Sequence, residues 1–212
     1  MALQAGSYRV LCHACEVQGM SELIHYQDPQ SRAVRTQTLL NFYNIPHKNV
    51  LIDIRKGDNK KPEYLKIHPH GRVPAIEQNG QVILESGAIT LFLADLYADK
   101  MNTPKPGTPD RARFYEWMFF LHGSLEPQAM LGFNPETKEK GQKEVRRLLE
   151  GMASRLQGPH VLGEQFSVVD VVLYTELAWY KAIGLFPDGL EPFETFMKTH
   201  AERMTPALSL KA

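Results

Sequence analysis

The stretch that most constrains this chain is Arg72-Val73-Pro74-Ala75-Ile76, an Asn79-Gly80 pair, and then Val82-Ile83-Leu84-Glu85-Ser86-Gly87-Ala88-Ile89. Asn-Gly between two short apolar runs is a strong hairpin signal, because both central residues of the favoured turn take positive φ. Ala75 to Glu77 and Gln81 to Leu84 are therefore expected to pair as strands. Pro74 has no N–H to give to a ladder, so it belongs at the start of its strand, leaving the amide and carbonyl of Val73 without a ladder partner. An extended Val73 beside Pro74 could dock another extended peptide. Beyond the hairpin, Glu85-Ser86 falls where a helix begins, with free amides and a positive dipole end open to a carboxylate. A small, carboxylate-bearing peptide is the ligand these features suit.

Val-Pro, an Asn-Gly hairpin and Glu-Ser-Gly-Ala-Ile in this order resemble the glutathione-binding half of the cytosolic glutathione S-transferase family, with a bacterial or theta-like cast and the class left open. In that family the proline is cis, the valine backbone pairs with the cysteinyl part of glutathione, and Glu-Ser receives its γ-glutamyl end. The resemblance assigns these roles to Val73, Pro74, Glu85 and Ser86, and a supporting one to the basic Arg72. It implies glutathione as co-substrate, no metal, a homodimer, and a thioredoxin-like α/β domain joined to an all-α helical bundle. Taken singly, Pro74 also suits an ordinary edge strand, and Ser86 an ordinary helix start.

The chain has 212 residues, 43% of them hydrophobic, more than the usual single domain of roughly 100 to 150 residues. Twenty-four basic and twenty-four acidic residues cancel, so no global field draws the chain to nucleic acid or to an anionic membrane. No apolar run approaches the roughly 20 residues of a membrane span, and no repeat of about 20 to 50 residues is visible. A small-molecule partner is favoured.

Cys12 and Cys15 form a lone Cys-His-Ala-Cys. A zinc site needs about four ligands and no second pair supplies them, while a redox pair should follow a strand and open a helix. His68 and His70 flank Pro69 with no third ligand near in sequence. Met20-Ser21-Glu22-Leu23-Ile24-His25-Tyr26 is how many family members begin, so residues 1–20 read as an extension. They lack a secretory core, and the absence of acid before Glu16 is a transit-peptide trait. The expected location is cytoplasmic and reducing.

Residues 21–98 read as βαβ, α, ββα. A strand is expected over Leu23 to Gln27, a helix over Ser31 to Tyr43, a strand over Val50 to Ile54 and a short helix over 61–67. After the hairpin, a helix from Ser86 to Ala98 should turn Ile89, Phe92, Leu93 and Leu96 inward. Residues 99–109, with Pro104, Pro106, Gly107 and Pro109, form a linker. Residues 110–212 read as helical. The first long helix, Asp110 to Leu125, is aromatic-rich and stops near Pro127, and Lys138 to Leu156 forms an amphipathic second one. Ser167-x-x-Asp170 forms a capping box with Phe166 and Val171 as its hydrophobic staple, opening a helix apolar nearly all round. The resemblance spans about residues 21–205.

The chemistry this implies is thiol activation. A thiol of pKa about 8.5 is only a few per cent thiolate at neutral pH, and the thiolate is the nucleophile. Lowering the pKa by two units takes about 2.7 kcal/mol. A hydroxyl hydrogen bond to a charged sulfur gives about 1.5 to 3 kcal/mol, and a helix N-terminus about 0.3 to 1 more, so one hydroxyl is enough. The turn after the first strand, His25 to Arg35, is where the family carries it. Tyr26 falls at the tyrosine-type position and Asp28 at the theta-type serine position, while Ser31-Arg32 resembles a Ser-Arg that opens the helix in some bacterial and fungal members. An ionised carboxylate repels a thiolate, which discounts Asp28. Ser31 and Tyr26 remain the candidate activators, Ser31 also fitting a plain N-cap and Tyr26 a packed strand residue. No cysteine lies in this turn, which disfavours mixed-disulfide chemistry.

Asn59, in the basic loop Arg55 to Lys61, aligns with a theta-class histidine and is a candidate glutathione contact. Tyr115 and Phe119 are candidate walls of the pocket for a hydrophobic electrophile, although aromatics at helical spacing also build cores. The expected reaction is attack of the glutathione thiolate on that electrophile. The alternatives are a non-catalytic binding or scaffold protein of this fold, or another glutathione-dependent enzyme such as an isomerase, peroxidase or dehalogenase.

Overall fold

The computed structural model describes residues 22–156 and 158–208; Cys12 and Cys15 lie outside the described residues. β1 (Leu23–Gln27), α1 (Ala33–Phe42) and β2 (His47–Leu51) form a parallel βαβ unit, with Leu23 opposite His47 and Gln27 opposite Leu51. β3 (Ala75–Gln78) runs antiparallel to β1, and β4 (Gln81–Leu84) completes a four-stranded sheet in the order β2-β1-β3-β4. The turn is made as its sequence requires, with φ of 53° at Asn79 and 76° at Gly80. A 3₁₀ turn (Asp58–Lys60) and α2 (Pro62–Leu65) cross between β2 and β3, and α3 (Ser86–Leu96) follows β4.

β2 lies three residues earlier than Val50 to Ile54. Pro46 already holds the chain extended, so pairing starts at His47. Past Leu51 the Ile52 N–H still donates to the Gln27 carbonyl at the end of β1, at 2.9 Å, and the Ile54 N–H then turns to Asp28 Oδ2 in the β1–α1 loop at 3.1 Å. In α3 the buried residues are Ile89, Thr90, Leu93 and Ala94, whereas Leu96 is exposed at the helix end, in place of the expected Phe92 and Leu96.

The helical half comprises α4 (Pro109–Phe119), a π-helical turn (Phe120–Leu125), α5 (Glu126–Met130), a 3₁₀ turn (Leu131–Phe133), α6 (Lys138–Ala153), α7 (Val168–Ala182) and α8 (Glu191–Leu208). Pro127 does not end a helix. It occupies the first turn of α5, where a missing N–H costs no hydrogen bond. The capping box at Ser167 forms, with Ser167 N–H donating to Asp170 Oδ2 at 2.8 Å, and Asp170 Oδ1 also accepts from Val161 N–H at 2.7 Å. No helix among the described residues is long and apolar enough to cross a membrane.

One apolar core joins the two halves. Leu23, Leu39, Leu40 and Ile76 from the sheet and α1 share it with Trp117, Leu121, Leu173 and Leu177. Alternate strand residues, Tyr26 and Ala75 among them, point to the other face, where Val73 and Tyr64 form a second small core. The sheet is thus covered on both sides, and α1 is clamped between it and the helical half.

His25 sits fully buried on β1 with Nδ1 3.0 Å from Asn49 Oδ1 and 3.2 Å from Gln37 Oε1. Burial, the largest influence, lowers its pKa from 6.5 to about 4. The native state therefore refuses a proton that the unfolded chain accepts below about 6.5, so stability is present above that pH and is lost as pH falls toward 4. This group is expected to remove about 2 to 3 kcal/mol between pH 7 and pH 4.5. Urea denaturation across that range should show the loss, and His25→Asn should flatten it.

Candidate active site

A cleft of about 700 Å³ opens between the sheet domain and the helices, within the size range of small-molecule sites. Its floor is the loop that enters α1, and Asp28 organises that loop. Asp28 Oδ1 accepts from Gln30 N–H at 2.8 Å, and its other oxygen holds Ile54. The carboxylate is spent on backbone and does not line the cleft. Ser31 does line it. Its hydroxyl donates to the Asp28 carbonyl at 2.7 Å while its oxygen accepts from Ala33 N–H at 3.1 Å. The oxygen is thereby fixed at the N-terminus of α1, and its proton can rotate from a neutral carbonyl to an anion in the cleft, the stronger partner.

A second edge of the cleft is the strand entry Gly71-Arg72-Val73, backed by Asn59. Asn59, itself buried, donates from Nδ2 to the Gly71 carbonyl at 2.8 Å, and the Tyr64 hydroxyl donates to the Arg72 carbonyl at 2.6 Å. Gly71 has φ of 59° and lies so close to the Asn59 carbonyl that a Cβ would collide with it, so this approach needs glycine. The Val73–Pro74 peptide that follows is cis. Two side-chain hydrogen bonds to carbonyls thus hold Arg72 and Val73 along the cleft edge ahead of β3.

The third wall is apolar and comes from the helical half: Met130, Phe133, Thr175 and Trp179. The rings of Phe133 and Trp179 lie 5.7 Å apart and tilted by 32°.

Behind this wall lies a buried charge network that sequence reasoning missed. Arg35, on α1, makes an ion pair of 2.6 Å from Nη1 to Glu126 of α5, and its Nη2 donates to Glu176 of α7 at 3.0 Å, with Nε also paired to Glu176. Arg32 Nε reaches the other oxygen of Glu126 at 2.6 Å. Burial pushes the Glu176 carboxyl up to about 7, against the opposing pull of Arg35. A sequence signal exists: Glu176, mid-helix among Leu173, Tyr174 and Leu177, calls for a buried cation, and Arg32, at the cap of α1, and Arg35 are three residues apart on one side.

Comparison with known proteins matches this architecture over both halves. The glutathione S-transferase N-terminal domain family model covers residues 21–95, and the C-terminal domain model covers residues 112–204. The chain belongs to the glutathione S-transferase family. It is 43% identical over 208 residues to "Glutathione S-transferase hmp2" of Hypomyces subiculosus, covering 84% of this chain and 97% of that one. It is 31% identical over 147 residues to "Glutathione S-transferase GstA" of Escherichia coli O157:H7, covering 66% and 73%. Among solved structures, a glutathione transferase homologue from Sulfitobacter with bound glutathione superposes with a TM-score of 0.75 at 23% identity, over 88% of this chain and 96% of that one. A Bombyx mori glutathione transferase gives a TM-score of 0.78 at 22% identity, over 88% and 90%.

In this family member several expected residues lie elsewhere. Tyr26 is corrected: it sits on the sheet face away from α1 and does not line the cleft. Its hydroxyl donates to Glu77 Oε2 at 2.8 Å, and burial, reinforced by Glu77, raises its pKa to about 12. A phenol held by a carboxylate has no proton to offer a thiolate. Tyr115 and Phe119 are also corrected. They share the outer face of α4, with Tyr115 under the Arg111 guanidinium at 4.7 Å and Phe119 69% exposed, while Phe114 and Trp117 fill the core. The apolar wall is built instead by Met130 and Phe133, which lie beyond the helix stop expected near Pro127, and by Trp179 of α7.

Glu85 and Ser86 stand at the start of α3, Glu85 with φ of 68° and the Ser86 carbonyl accepting from Thr90 Oγ1 at 2.9 Å. Neither they nor Pro74 is among the residues lining the cleft. Among the described residues, one group brings three metal-capable atoms within 4.8 Å of one another: His160, Asp170 and His200. It lies at the capping box, away from the cleft, where the Asp170 oxygens already accept from Val161 and Ser167.

Proposed function

We propose that this glutathione S-transferase family member binds glutathione along Asn59, Arg72, Val73 and Pro74, with Glu85 and Ser86 taking the γ-glutamyl end. Ser31 holds the sulfur as thiolate, and the thiolate attacks a hydrophobic electrophile seated on Phe133 and Trp179. The observation that supports this reading is that Ser31 lines a cleft also lined by Val73 and by an apolar face. The thiol gives its proton to solvent, the thiolate forms the new carbon–sulfur bond, and the product is a thioether. Ser31 supplies a hydrogen bond to charged sulfur, and the start of α1 adds its positive end.

The relatives bearing the transferase name and the glutathione-bound structural neighbour support this assignment. On the same reading the protein is a homodimer in the cytoplasm that clears reactive electrophiles, and the exposed Phe119 gives it an apolar surface for a second copy to cover. The test is calorimetric titration with glutathione together with turnover of 1-chloro-2,4-dinitrobenzene. Binding with turnover is expected. Binding without turnover would indicate a scaffold of this fold, and sedimentation velocity should give twice the chain mass of 24.1 kDa.

A further inference from the structure

The residues lining the cleft include three arginines, Arg32, Arg35 and Arg72, and no aspartate or glutamate. The three are not equivalent. Arg35 is buried, and its guanidinium is shared between Glu126 and Glu176. Arg72 lies beside Val73, on the edge assigned above to glutathione. Arg32 is different, because its side chain is 44% exposed and, among the described residues, only Nε of its guanidinium has a partner. A guanidinium carries five N–H donors in a planar fork, so four remain.

Its position is fixed from the helical side. Glu126, almost fully buried, grips Arg32 Nε at 2.6 Å while its other oxygen is tied to Arg35. Glu126 and Met130 stand four residues apart on α5, hence on one face, one turn from each other. Glu176, at the other end of the network, is three residues from Trp179, and Arg35 lies 5.8 Å from the Trp179 ring centre. The network that anchors Arg32 therefore runs behind the apolar wall of Met130 and Trp179.

We propose that Arg32, anchored by Glu126, is a specificity-determining residue that takes the carboxylate of the electrophile, so that this cleft prefers a flat apolar electrophile bearing a carboxylate over its neutral counterpart. The inference rests on the transferase reading above and adds the charge of the second substrate. The tether leaves the guanidinium fork free and removes much of the rotamer freedom that an exposed arginine loses on binding. A planar fork matches a carboxylate bidentately, and the Phe133–Trp179 pair supplies the surface for the flat body.

The test compares 1-chloro-2,4-dinitrobenzene with 4-chloro-3,5-dinitrobenzoate, each rate divided by its uncatalysed rate with glutathione. In both, the thiolate sulfur bonds to the ring carbon, the carbon–chlorine bond breaks and chloride leaves with the electron pair. The wild-type protein is expected to favour the benzoate by about tenfold or more in normalised kcat/KM, the low end for a charged hydrogen bond. Arg32→Leu should bring that ratio to about one, and Arg32→Lys should keep part of it. Glu126→Gln should raise KM for the benzoate more than for the neutral halide. A wild-type ratio near one, or an Arg32→Leu variant that loses both substrates equally, would overturn the proposal.

A binding measurement separates this proposal from the transferase reading. Unreactive 3,5-dinitrobenzoate and 1,3-dinitrobenzene are titrated against tryptophan fluorescence. If neither halide turns over, the transferase reading falls, and tighter binding of the benzoate that disappears in Arg32→Leu still supports Arg32. Equal binding of the two in the wild type refutes it.

Discussion

Arg35→Leu is expected to destabilise the protein by about 3 to 5 kcal/mol, the cost of removing one partner from a buried ion pair. Arg35 is the only described cation that touches both Glu126 and Glu176, and both carboxylates are buried. Without it, Glu176 keeps the Tyr180 hydroxyl and the repulsion of Glu126, and Glu126 keeps Arg32. The network also joins α1 to α5 and α7, so its loss loosens the floor of the cleft as well as the boundary between the two halves. Urea denaturation of wild type and variant measures the effect. A triple variant, Arg35→Met with Glu126→Gln and Glu176→Gln, should recover much of the lost stability, because no uncompensated charge remains. Equal stability of wild type and Arg35→Leu would mean that the network contributes nothing.

Ser31→Ala carries the second large effect. Removing a hydrogen bond to a charged sulfur is worth about 1.5 to 3 kcal/mol, which corresponds to a thiolate pKa raised by about one to two units and, from a starting value two units below about 8.5, a thiolate fraction and rate lowered roughly 3- to 25-fold at pH 7. Glutathione affinity should change far less, because the proposed binding mode holds the peptide by the strand edge at Val73. Tyr26→Phe is the matched control. Its phenol serves Glu77 on the far face of the sheet, so that variant should leave the bound thiol pKa where it is and cost about 1 kcal/mol of stability. The pH dependence of kcat/KM in the three proteins decides between the two hydroxyls.

The hairpin and the extended strand entry at Val73-Pro74 were legible because short-range rules fix them. Asn79-Gly80 dictates its turn, Pro74 its place ahead of β3, and Ser167-x-x-Asp170 the start of α7. What escaped depended on partners distant in sequence. β2 ends before Ile54 because Asp28 Oδ2 takes the Ile54 amide, a contact across 26 residues that periodicity does not register. The apolar wall was sought on the aromatic stripe of α4, yet aromatics at helical spacing serve two faces, and the face with Phe114 and Trp117 went to the core. Met130 and Phe133 follow Pro127, which reads as a stop until its place in the first turn of α5 is seen. Tyr26 and Ser31 could be separated only in three dimensions, since both lie in one short segment and the strand alternation sends the tyrosine to the wrong side of the sheet.

If the cleft turns bound glutathione into a thiolate, the ultraviolet difference absorbance of the glutathione-saturated protein from pH 5 to pH 9 should show it. The expected midpoint lies about two units below the free thiol value of roughly 8.5 and returns toward that value in Ser31→Ala. A bound thiol that titrates where the free one does, with the same midpoint in wild type and Ser31→Ala, would contradict it.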